Sequence, residues 1–102
     1  MNEEKKEVKK VLLDFRKCML EQNIGEWTET DLSQPVGNTI HKSAEDIGID
    51  EIARKIYHDG MVEVEENVAK YIRLIIENST LVLYARQAIL KVIDEALKKE
   101  NV

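Results

Sequence analysis

Between Met61 and Lys99 the apolar residues fall at helical spacing on both sides of a three-residue break, and this pattern constrains the fold more than any other stretch of the chain. Met61, Val64, Val68, Tyr71, Ile72 and Ile75 share one seam, which predicts a helix over 61–78. Asn78-Ser79-Thr80 is short enough to force an antiparallel neighbour, and Ser79 or Thr80 is placed to cap a last helix over 80–99. Projected at ~100° per residue, that helix spreads Leu81, Val82, Ala85, Ile89, Val92 and Ile93 over an arc of about 200°. So wide an arc contacts more than one neighbour. It is expected at the centre of a bundle or half inside a dimer interface.

The rest of the chain is read against that hairpin. Val8, Val11, Leu12, Phe15 and Met19 recur at the spacing of one helix face and predict a first helix over 3–22, which Asn23 and Gly25 stop. Ser43 to Asp46 resembles a capping box, suggesting a single turn that Gly48 breaks. Asp50 then caps a helix over 50–59 in which Ile52, Ala53, Ile56 and Tyr57 share a face, and Gly60 closes it. Residues 23–42 keep no sustained period and contain Trp27, Pro35 and the turn pair Gly37-Asn38, so they read as a long loop. The expected architecture is all-α: one domain over 1–102, a small four-helix up-and-down bundle with a long loop between its first and second helices.

Composition narrows the function classes. Twenty acidic and fifteen basic residues leave a net charge of −5, opposite in sign to the footprint of a nucleic-acid or anionic-membrane binder. A lone cysteine forms no disulfide within one chain and no thiolate zinc site, which suits a reducing, cytoplasmic setting. No window reaches 18 uncharged apolar residues, and neither a signal peptide nor a membrane span is read.

Five residues stand out. Arg86 falls near the middle of the last helix's apolar arc, and Glu65 interrupts the seam of the helix before it. Reflecting the hairpin about Ser79 leaves them about 10 Å apart along the axis, so each is expected to find another partner or to specify a partner surface. Trp27, the chain's only tryptophan, sits in the long loop with Ile24 and Leu32 close by. It either plugs the open side of the bundle or anchors another protein.

Catalytic and metal constellations are weak. Neither histidine has the spacing of di-iron bundles or zinc proteases, and Cys18 shares the apolar face of Val11 and Phe15. His41, His58-Asp59 and Asp94 follow the chain order of HD-type phosphohydrolases, with tighter ligand spacing than such enzymes use. Ala44, Ile47, Gly48 and Ile49 match part of a helix-turn-helix, but Arg54 falls where its recognition helix needs an apolar residue. No cofactor, metal or catalytic residue is therefore expected. By elimination the chain reads as a non-enzymatic protein–protein interaction module, a small acidic adaptor, inhibitor or immunity-type protein. Its expected partner is another protein or a second copy in a homodimer. A DNA-binding regulator and a metal-dependent phosphohydrolase stand as the alternatives.

Overall fold

Val11, Leu13, Phe15, Cys18 and Leu20 point into the core while Leu12 and Met19 point out, so the expected first helix is in fact two strands. The computed structural model describes residues 9–100; the start of that expected helix, residues 3–8, lies outside the described residues. Strand β1 (Lys10–Asp14) and strand β2 (Cys18–Asn23) are joined through Phe15, Arg16 and Lys17. The chain therefore mixes helices with strands and is not an all-α four-helix bundle. A run such as Val-Leu-Leu satisfies helical and extended periods alike, and long-range pairing decides between them. The partner of β1 is β4 (Met61–Glu65), the segment expected to open the third helix. Its Met-Val-Glu-Val-Glu alternation is that of a half-buried strand. Across this antiparallel ribbon Val11 faces Val64 and Leu13 faces Val62 on the buried side, with Leu12 opposite Glu63 outside.

The expected long loop is also structured. Strand β3 (Glu26–Thr30) pairs antiparallel with β2, and Ile24-Gly25 makes the turn, Gly25 at φ 83°. That left-handed backbone suits glycine, and the Glu21 carboxylate accepts a hydrogen bond from the Gly25 N–H (2.7 Å). Asn23 and Gly25, read as a helix stop, serve equally as hairpin residues. Helix α1 (Ser33–Ser43) fills the second half of the loop. Asp31 takes hydrogen bonds from the backbone N–H and the hydroxyl of Ser33 (2.9 and 2.5 Å), steadying the entry to α1.

Helix α2 (Ile47–Asp59) begins three residues before the expected start, because Asp46 rather than Asp50 accepts the capping bond from the Ile49 N–H (2.8 Å). Gly60 ends it, its N–H donating to the Ile56 carbonyl. After β4 come helix α3 (Glu66–Glu77) and helix α4 (Leu83–Glu100), linked by residues 78–82, two more than the expected connection, so α4 starts three residues later than expected. Ser79 donates its hydroxyl to the Ile76 carbonyl (2.7 Å), tying that connection to the end of α3.

One core unites these pieces. Ala69, Ile72 and Ile76 of α3 and Ala85, Ala88, Ile89 and Ile93 of α4 pack with the inward residues of the strands. Val36, Ile40, Ala53 and Ile56 extend the same cluster under α1 and α2. Much of the wide arc of α4 is explained because this helix packs on α3, β1 and β2 at once, whereas Leu81 and Val82 precede the helix and Val82 is exposed. No helix among the described residues is long and apolar enough to cross a membrane.

Candidate interaction surface

The β2–β3 hairpin stands apart from the rest in how little of it is buried. Cys18 and Leu20 of β2 enter the core, but every residue of β3 from Glu26 to Glu29 is exposed. Cross-strand neighbours place Met19 beside Glu29 and Leu20 beside Thr28. By alternation Trp27 shares the face of Glu29 and hence of Met19. Trp27 is 56% exposed, Met19 44%, and Ile24 at the hairpin tip 98%. Trp27 is thus not a core plug.

Helix α4 supplies the other wall. Met19, Glu21, Trp27, Tyr84, Ala88 and Lys91 line a cavity of about 110 Å³ between the hairpin and the first turns of α4. Gln22 donates its side-chain amide to the Tyr84 hydroxyl (3.2 Å), bracing the two elements. Among the described residues β3 pairs only with β2, so its outer edge is free of any other strand. Glu26, Glu29 and Asp31 make the approach to this surface acidic. Asp31 stays ionised below the usual carboxylate range because the Ser33 side-chain and backbone hydrogen bonds favour its charge.

The five residues singled out in the sequence do not form one site. Trp27 and Ile24 share the hairpin. Leu32 is 6% exposed, a core residue whose N–H donates to the Phe15 carbonyl (2.9 Å). Arg86 is half-buried and donates from Nη1 to the Ser79 carbonyl (3.0 Å), so its charge closes the α3–α4 connection. Glu65 ends β4 opposite Lys10 and stands at the N-terminal boundary of α3, exposed. Arg86 and Glu65 are not paired with each other. Sequence reasoning missed the α4 wall, Tyr84 and Lys91, because it took residues 3–22 for a helix and left no hairpin to face it. The turn residues Asn23 and Gly25, followed by Trp27-Thr28-Glu29-Thr30, are the signal that could have found it.

The residues of the enzymatic alternative do not come together as a set: His41 and His58 border one cleft between α1 and α2, and Asp94 lies apart from it on α4. His41 Nδ1 is bonded to Asp50 Oδ1, and Arg54 Nε donates to Asp50 Oδ2 (2.9 Å). These two bonds, His41 first, hold the Asp50 carboxyl below its usual range. His58 meets Tyr57 edge to face, with ring centres 5.1 Å apart. Asp94 of α4 is engaged by Arg73 of the neighbouring α3, through Nε (2.6 Å) and Nη2 (3.2 Å). Among the described residues no three His, Cys, Asp or Glu side chains are grouped to hold a metal ion. Burial and the nearby Asp31 and Asp14 charges push the Cys18 thiol up to about 12, so it presents no thiolate at neutral pH.

For the DNA-binding alternative, α1 and α2 do pack as a close pair joined through Ala44–Asp46. The exposed side of α2 mixes Glu51 and Asp59 with Arg54, Lys55 and His58, and so lacks the one-signed basic face that phosphate contacts require. The chain matches no protein-family model, no curated protein and no solved structure.

Proposed function

We propose that this chain is a non-enzymatic protein-interaction module that docks a partner on the β2–β3 hairpin and the adjoining groove of α4. The observation carrying the reading is the exposure of Trp27 beside Met19 on a strand that buries nothing from Glu26 to Glu29. A half-exposed indole leaves apolar surface in water at a cost of about 25 cal/mol per Å², which a partner's apolar side chain would recover. Aromatic residues of this kind carry much of the energy of protein interfaces. The carboxylates of Glu21, Glu26 and Glu29 around it suit a partner whose apolar contact is ringed by Lys or Arg. The lone buried thiol suits a reducing compartment, and we place the protein in the cytoplasm on that ground.

The test is affinity capture from source-cell lysate with the tagged chain and its Trp27→Ala variant, the fold of both checked by circular dichroism. A protein retained by the first and lost by the folded variant supports the reading. Equal retention by both removes the hairpin from it.

A further inference from the structure

The crossing of α1 and α2 leaves a half-open cleft of about 170 Å³, unrelated to the hairpin. Its position follows from one residue. Gly37 brings α1 against the backbone of α2, where a Cβ would lie 2.8 Å from both the Ala53 carbonyl oxygen and the Tyr57 Cβ. Around this close approach the lining is Asn38 and His41 from α1 with Arg54, Tyr57 and His58 from α2. No carboxylate lines the cavity, in a chain with twenty acidic residues.

Most polar atoms of that lining are uncommitted. Arg54 spends only Nε, on Asp50, and keeps both terminal nitrogens. His41 spends Nδ1 on the same carboxylate and keeps Nε2. The Asn38 amide, the Tyr57 hydroxyl and the His58 ring nitrogens make no hydrogen bond to any described residue. Asp50 itself is not in the lining. It holds both the Arg54 guanidinium and the His41 ring, linking an α1 residue to an α2 residue and restricting their rotamers before any ligand arrives.

We propose that this cleft binds a small molecule through a phosphate group. A guanidinium with both terminal nitrogens free presents a planar fork that matches two phosphate oxygens. The Asn38, Tyr57 and His58 donors supply bonds to the remaining oxygens, which only accept. The cleft's volume of about 170 Å³ is more than tenfold the ~10–15 Å³ that a single water needs, enough for a tetrahedral anion. The proposal is independent of the hairpin reading, since none of these residues borders that surface.

The probe is inorganic phosphate, titrated into the full chain labelled with ¹⁵N, with acetate in parallel as a simple carboxylate. The expected result is saturable shifts confined to residues 37–41 and 53–58, with a Kd of about 1 mM or tighter. Arg54→Gln should weaken this about tenfold or more, the loss of a charge-assisted hydrogen bond. His58→Gln should also weaken it, and His58 makes no hydrogen bond to a described residue whose loss could disturb the fold. Shifts that do not saturate, or that scatter over the surface, overturn the proposal. So does binding by both folded variants equal to that of the unaltered chain, and so does acetate binding as tightly as phosphate.

Discussion

Gly37 of α1 lies against Ala53 of α2 so closely that a Cβ at position 37 would be 2.8 Å from the Ala53 carbonyl oxygen. The obstacle is backbone in the middle of a helix and cannot rotate away. Gly37→Ala is therefore expected to destabilise the protein despite the ~1 kcal/mol that alanine gains in helix propensity. Overpacking costs about 1–3 kcal/mol, and the backbone obstacle puts this site at the upper end, so the net loss should be about 2 kcal/mol. Thermal unfolding should show the melting temperature falling by about 4–8 °C for each kcal/mol lost.

Trp27 and Phe15 are both aromatic, yet their truncation should have very different effects. Phe15 is fully buried in the common core, and Phe15→Ala should cost about 3–5 kcal/mol. Trp27 is half exposed, and Trp27→Ala should cost about 1 kcal/mol or less. Urea titrations of the two variants check the contrast. The emission of Trp27 should lie close to that of free tryptophan in the folded protein and shift little on unfolding.

Cys18 is held as a neutral thiol, its pKa raised from 9.0 to about 12 chiefly by burial. Below about pH 9 both folded and unfolded states keep the proton and stability does not depend on this group. As pH rises from about 9 towards 12 the unfolded state releases the proton that the folded state keeps, so stability falls through that window. Denaturant midpoints measured at pH 8 and pH 10.5 should show the drop, and Cys18→Ala should lessen it. At neutral pH a thiol reagent should label Cys18 only after unfolding.

At the acid end the sign reverses. Asp14 is held below its usual range first by the Arg16 side-chain hydrogen bond, Asp31 by Ser33, and Asp50 by His41 and then Arg54. Their contribution is complete above the ordinary carboxylate pKa of about 4 and is lost as pH falls below it through the depressed values. Asp31 is exposed and Asp14 and Asp50 are only partly buried, so the acid loss should be shallow and partly screened by salt. Asp50→Asn should flatten part of the stability profile between about pH 5 and pH 2.

The Arg73–Asp94 pair joins the faces of α3 and α4 by two hydrogen bonds, with Asp94 exposed and Arg73 half-buried. Arg73→Met should change stability by about 1 kcal/mol or less, since exposed ion pairs contribute little. A double-mutant cycle with Asp94→Asn measures the coupling directly.

Much of the C-terminal half was legible from periodicity. Helix α4, the body of α3 and the shared face of Ala53 and Ile56 follow from apolar spacing sustained over three or more turns, a signal that needs no distant partner. Cys18 as a core residue was legible from the helical spacing that puts it on the side of Phe15, but it stays there for a different reason, because the chain bends at Arg16-Lys17 between β1 and β2, whereas one continuous strand would put the two on opposite faces. Arg86 and Glu65 were found as departures from pattern, but their partners were not, since a carbonyl at Ser79 leaves no trace in side-chain spacing.

What the sequence by itself determined was one apolar core, an acidic surface, the C-terminal helical hairpin and the helix over 50–59. What only the tertiary structure decided was the state of residues 10–30. Val11 and Leu13 fit a helix as well as a strand until Val64 and Val62 arrive from about fifty residues away to complete their ladder. Trp27 is exposed only because the segment before it turned back as a hairpin. Strand pairing is set by residues distant in sequence, whereas a helix closes its hydrogen bonds four residues away, and that difference in range made α4 readable and β1 ambiguous.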